Sequence, residues 1–255
     1  MKTRKELKEE ARRTLAGNWL TAIKVSIVPI IFQVLAGILA TIVIAALVML
    51  ARHLYASGGF SSASDSFSAH DSNFASHGGS GIENLVTTYL LLGVNFTFID
   101  WLRTKKVPER PFRDAFQTIS GRYFLPVLVL YILQAVLTFL WTLLLVIPGI
   151  IKTFSYSQTY YIYKDVKAAG GTDDRNYFDY ITMSRQLMDG HKMELFILKL
   201  SFLGWDIIGW ITMGIGFIWI TPYKQMTYMN YYRYLVGDKY KNWGSQDADQ
   251  PINID

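Results

Sequence analysis

Three charged side chains interrupt otherwise apolar sequence near the end of the chain: Lys199, Asp206 and Lys224, in "ILKLSFLGWDIIGWITMGIGFIWITPYKQ". An ionisable group at bilayer depth costs several kcal/mol and normally faces a partner or a cavity. If the run reverses near Ile215, Asp206 lies nine residues before the turn and Lys224 nine after it. At 1.5 Å per residue each is roughly 13 Å from the tip, so an antiparallel hairpin brings them to one depth. The spacing predicts an intramembrane ion pair. Lys199 projects from nearly the same face as Asp206 but nearer the cytoplasmic surface, where its stem could snorkel. Together the three form a candidate polar path, or more simply a pair that fixes hairpin register.

Other chemistry finds little footing. His53, His70 and His77 lie in or beside a Ser/Gly-rich stretch with Asp65 and Asp71, but their spacing matches no metal-ligand pattern, and the chain has no cysteine. We expect no metal and no cofactor. No Gly-x-Ser-x-Gly, His-Glu-x-x-His or phosphate-loop pattern occurs, so no enzyme activity is expected and no catalytic residue is assigned. Tyrosines crowd at 156–163 and 223–234. Their amphipathic rings suit a membrane interface, while Tyr156 and Tyr223 sit deep enough to hydrogen-bond between helices. A pI of 9.2 raises nucleic acid as a ligand, but the positive residues gather at the edges of apolar runs, where anionic lipid is the nearer partner.

The elements that must position these residues follow from run length. The chain of 255 residues is 51% hydrophobic and only 18% charged, with mean hydropathy +0.20, whereas soluble domains carry about 25% charge. Apolar runs at 20–51 and 82–102 each reach the roughly 20 residues that cross a bilayer. The first is too long, and its basic head too mixed in sign, for a cleaved signal peptide. Residues 52–81 between them read as a flexible outer loop. The run from Tyr123 to Asp165 would measure about 65 Å as one helix, twice the hydrocarbon thickness. It must therefore turn, and Pro148 with Gly149 marks the tip. The run from Met193 to Val236 needs a similar tip, at Gly214 and Gly216.

The expected fold is all-α: an integral membrane bundle of six transmembrane helices in three hairpins, each preceded by a short amphipathic interfacial helix. The single domain divides into a cytoplasmic helix at 1–19, a first hairpin from 20–51 and 82–102, a second repeat at 112–165, a third at 174–237 and a cytoplasmic tail at 238–255. Lys and Arg concentrate in 1–19 and 103–122 and are scarce at the tips, which puts both termini in the cytoplasm of a multi-pass cell-membrane protein. Internal repetition has its own marks. Gly17, Gly121 and Gly190 stand in "LAGNW", "ISGRY" and "MDGHK" ahead of each hairpin, and Tyr156, Gln158 and Tyr161 align with Tyr223, Gln225 and Tyr228. Apolar faces precede each glycine: Leu7, Ala11 and Leu15; Phe112, Phe116 and Ile119; Tyr177, Ile181, Ser184 and Met188.

The stretches "ELKEEARRTLAGNW", "LWTLLLVIPGI" and "SRQLMDGHKMELFILKLSFLGWDIIGWITMGIGFIWITPY" resemble the domain of unknown function 975 family of multi-pass bacterial membrane proteins. That family is in turn distantly similar to membrane domains fused to glycerophosphodiester phosphodiesterases. The resemblance implies a fold and lipid surroundings and transfers no active site. The function expected is a non-enzymatic accessory or lipid-facing scaffold of the cytoplasmic membrane, whose partners are membrane lipids and a protein docking at the cytoplasmic face, with no nucleic acid. The alternative is a small transporter or exporter with a polar path through the third hairpin.

Overall fold

Helix is the only regular structure among the described residues of the computed structural model, which are 2–56, 72–170, 176–212, 214–237 and 239. The first helix, α1 (Arg4–Leu15), starts with a capping box: Glu6 N donates to Thr3 Oγ1, and Thr3 N donates to Glu6 Oε2 at 2.7 Å. Its Leu7, Ala11 and Leu15 are buried, the face expected from their spacing. Gly17, at φ 78°, turns the chain by 104° into α2 (Trp19–Ala56).

The returning helix α3 (Ser72–Thr104) begins about ten residues before the expected span, so 72–81 are helical rather than loop. Extending a packed helix costs far less than nucleating one, which lets the Ser/Gly/His stretch propagate from the apolar segment behind it. Residues 57–71, with Asp65, His70 and Asp71, lie outside the described residues, as do 240–255 of the expected tail.

The second hairpin reverses at Leu145, whose φ of −160° and ψ of 139° are extended, between α5 (Gly121–Leu144) and α6 (Val146–Ser155). The turn thus falls just before Pro148 and Gly149. Pro148 occupies the first turn of α6, where its missing N–H has no helical acceptor to lose. Gly149 serves packing: a Cβ there would sit 2.3 Å from Thr142 Oγ1, so α5 and α6 touch at this point. Gly121 likewise differs from Gly17 and Gly190. It is the first residue of α5, without a positive φ, whereas Gly190 at φ 74° turns α8 (Tyr177–Leu187) into α9 (Lys192–Leu200). Ahead of α5, α4 (Pro111–Ala115) is only five residues long. Phe112, Phe116 and Ile119, expected as the apolar face of an interfacial helix, are exposed, while Ala115 and Thr118 are buried. A helix of little more than one turn cannot hold a stripe through residue 119.

Two apolar runs are broken. Residues 156–158 separate α6 from α7 (Thr159–Ala168), and Ser201 with Phe202 separates α9 from α10 (Leu203–Ile211). At both breaks serine hydroxyls return to nearby carbonyls, Ser157 Oγ to Phe154 O at 2.7 Å and Ser201 Oγ to Leu198 O at 2.6 Å, competing with the helical ladder. The last reversal is tight. Gly214 at φ 92° donates to Gly209 O at 2.9 Å, and α11 (Phe217–Val236) starts three residues later.

Of these helices, Asn84–Thr104 and Gly121–Leu144 are each long and apolar enough to cross a membrane, and the bent pair Arg4–Leu15 with Trp19–Leu35 makes a third if counted as one span. They are used differently: 67% of the apolar window in Asn84–Thr104 is buried, against 11% in Gly121–Leu144. Helix α11 is half-buried along its length, packed against α1, α2 and α3. The short helices pack on longer ones: α4 on α2 and α3, α8 on α7, and α1 on α11. Polarity runs against the soluble pattern. Ile42, Phe139, Leu143, Trp210 and Ile211 are more than half exposed, while Asn95, Gln158, Lys164, Asp165, Gln225 and Asn230 are buried.

Candidate functional site

Lys224 Nζ donates to both carboxylate oxygens of Asp206, at 2.7 and 2.9 Å. Both side chains are about a quarter exposed. The break at Ser201 adds something that spacing alone does not reveal, because it places Asp206 in the first turn of a new helix, α10. The carboxylate therefore meets the positive end of a helix dipole as well as an ammonium. Lys199 does not join them. It is exposed and lies 5.1 Å from the ring centroid of Phe154 on α6. The sequence-predicted trio is thus a pair, with the third cation facing another helix.

The tip glycines support this pair from above. A Cβ on Gly209 would fall 2.6 Å from the Phe217 ring, and one on Gly216 would lie 3.1 Å from Gly209 Cα. The close α10–α11 contact that these glycines permit holds Asp206 and Lys224 within reach of one another.

A second charged cluster is absent from the sequence reading. At the ends of α3, α7 and α11, Arg103 pairs with Asp165, and Tyr232 Oη donates to the same Asp165 carboxylate at 2.6 Å. One residue earlier in α7, Lys164 pairs with Asp100. Asp165 and Lys164 are both nearly sealed from solvent, at 3% and 2% exposure. Deeper in, Asn95 Nδ2 donates to Tyr161 Oη at 2.9 Å, and the Tyr161 ring lies 5.3 Å from that of Tyr232. Asn230, also buried, has neither amide atom hydrogen-bonded. These contacts tie three helices together through polar groups. Their partners are more than 60 residues apart, and the charges sit at the ends of apolar runs, where they read as interface residues.

Clefts open beside the short helices. One of about 840 Å³ lies between α3 and α4, lined by Asp100, Glu109 and Asp114 as well as Lys106 and Arg113. Another, of about 720 Å³, runs beside α1 and is predominantly basic. A third, of about 270 Å³, separates α6 from α8. Among the described residues, no three His, Asp or Glu side chains gather as a metal site.

No curated protein and no solved structure is significantly similar to the chain. A family model does match it, over residues 1–165 and again over 142–239, which together take in every described helix. By that match the chain belongs to DUF975, a family of proteins of unknown function.

Proposed function

We propose that the protein is a six-span integral protein of the cytoplasmic membrane, with three hairpins, each preceded by an interfacial helix, and both termini in the cytoplasm. It acts as a non-enzymatic, lipid-facing scaffold that holds a protein partner at its cytoplasmic face. The observation that carries this reading is the inverted polarity: apolar side chains cover the outside of α2, α5 and α10, while amides, hydroxyls and the paired charges Lys164 and Asp165 lie within. In water such a surface would aggregate, whereas in lipid the buried polar groups must find partners inside the protein.

Six spans rather than three require the broken runs to cross as well. The α9 and α10 segments together cover 192–211, about 30 Å of helix, which matches the hydrocarbon core. The packing order supports three repeats. Each amphipathic helix touches the returning helix of the preceding hairpin, α4 resting on α2 as well as α3, and α1 completes the cycle by resting on α11.

The absence of native cysteine makes single-cysteine labelling the direct test. With a membrane-impermeant maleimide, Ser64→Cys is expected to label in intact cells and Glu109→Cys only after permeabilisation. External labelling at 109, or none at 64 before permeabilisation, would refute the topology.

A further inference from the structure

Helix α1 turns Leu7, Ala11 and Leu15 inward and the adjacent stripe of Arg4, Lys8 and Arg12 across the 720 Å³ cleft, whose far wall is Ser201 and Tyr223. Lys5 adds a fourth cation, and Glu9 is the one carboxylate lining the cleft. Glu9 is already engaged by Arg13 at 2.5 Å, Glu10 by Lys2 at 2.8 Å, and Glu6 by the helix cap. Among the described residues, Arg4, Lys5, Lys8 and Arg12 pair with no carboxylate. Two of them are held in place by neutral groups. Lys8 Nζ donates to Ser201 O at 3.2 Å and stands 4.3 Å from the Phe202 ring centroid, and the Arg12 guanidinium lies 5.4 Å from that of Tyr223.

Among the described residues the one carboxylate on the cleft, Glu9, is engaged by Arg13, so its four cations repel one another unless an anion joins them. The cleft is large enough for a phosphate with its ester substituents, and Phe202, packed on the Tyr223 ring of its wall, directly precedes α10, whose Leu203 and Ile207 are exposed. We infer that this cleft binds a phosphate group, that of an anionic phospholipid, with Arg4, Lys8 and Arg12 on its oxygens and the acyl chains along α10. The inference rests on the membrane reading above. The cleft between α6 and α8 is a natural comparison: its cations Lys152, Arg185 and Lys192 stand beside Asp189, which already pairs with Lys192 at 3.4 Å, in little more than a third of the volume.

The full chain in a neutral detergent is titrated with short-chain phosphatidylglycerol, short-chain phosphatidylcholine and inorganic phosphate, and bound adducts are read by native mass spectrometry. Phosphatidylglycerol is expected to bind, phosphatidylcholine to bind at least tenfold more weakly, and inorganic phosphate to compete only at much higher concentration. Lys8→Gln/Arg12→Gln should lose about tenfold or more in affinity, as expected for one charge-assisted hydrogen bond. Arg4→Gln/Lys5→Gln changes only exposed residues, so its expected loss of affinity is not a folding defect. Lys152→Gln/Arg185→Gln should bind like wild type. Phosphatidylglycerol binding that survives both α1 variants, or that falls equally with the α6/α8 variant, overturns the site. Phosphate binding as tight as the lipid's overturns the lipid assignment. Cysteine labelling at 64 and 109 decides the topology separately and is unaffected by these results.

Discussion

Replacing Gly93 by alanine should separate two helices. A Cβ at this position of α3 would sit 1.8 Å from the carbonyl oxygen of Ala115 and 2.9 Å from its carbon. Carbon and oxygen settle at about 3.3–3.6 Å, so the end of α4 must retreat by roughly 1.5 Å. The obstacle is backbone, and no rotamer change relieves it. Three hydrogen bonds bridge the same contact: Thr97 Oγ1 to Asp114 O at 2.8 Å, Gln117 Nε2 to Thr97 Oγ1 at 3.1 Å, and Thr118 Oγ1 to Tyr89 O at 2.9 Å. At about 0.5–1.5 kcal/mol each their loss costs roughly 2–4 kcal/mol, and overpacking adds about 1–3 kcal/mol. Alanine's better helix propensity offsets about 1 kcal/mol. A net loss of about 2–6 kcal/mol follows, which at about 2–4 °C per kcal/mol for a chain of this size lowers the thermal midpoint by at least about 4 °C. Gly204 is the control, since it lies within α10 and a Cβ there meets nothing within 4 Å. Gly204→Ala should gain up to about 1 kcal/mol. Thermal unfolding in detergent, followed by circular dichroism and size-exclusion elution, measures both variants. If Gly93→Ala is as stable as Gly204→Ala, the α3–α4 contact is not as close as described.

Asp206→Asn should cost roughly 2–3 kcal/mol by leaving the largely buried Lys224 unpaired, and Asp206→Asn/Lys224→Met should recover most of it in the same assay. An additive double variant would show that the pair is not coupled. Tyr232→Phe should cost about 1–2 kcal/mol and Asp165→Asn about 3–5 kcal/mol, because the second leaves Arg103 without its buried carboxylate; equal losses would deny the carboxylate its central place. The Lys8 ammonium has a pKa below the usual 10.5, held down by burial and then by Arg4 and Arg12. Between that lowered value and 10.5 the unfolded chain binds more protons, so this residue makes stability rise with pH through the window. A bound anion favours the ammonium, so phosphatidylglycerol affinity should be full below the lowered pKa and decline as pH rises through it. Lys8→Gln should flatten that decline while the rest of the pH profile is unchanged.

Local signals carried some of this architecture and missed the rest for identifiable reasons. Leu7, Ala11 and Leu15 repeat every four residues along a helix long enough to show a stripe, and that face is buried. Phe112, Phe116 and Ile119 repeat in a similar way, but α4 stops at Ala115 and these side chains are exposed. Asp206 and Lys224 could be related because a turn between them makes sequence distance a measure of depth. Asp165, Arg103 and Tyr232 belong to three different helices, so no spacing relates them. Averaged hydropathy passes over Ser157 and Ser201, whose single hydroxyls break helices that remain apolar on either side. Pro148 marked the second reversal to within three residues, while the role of Gly149 emerged only from its distance to Thr142.

The seating of α1 on α11 bears on how the protein is made. Leu7, Ala11 and Leu15 leave the ribosome well before the helix that covers them, which begins 202 residues after Leu15. At 5–20 residues per second, that is a wait of about 10–40 s. Throughout this interval α1 has its basic stripe and apolar face free, a combination that adsorbs to anionic membrane surface. The nascent chain can thus rest its first helix on lipid and transfer it to protein only when α11 arrives. A chain cut short before α11 keeps the apolar face of α1 uncovered.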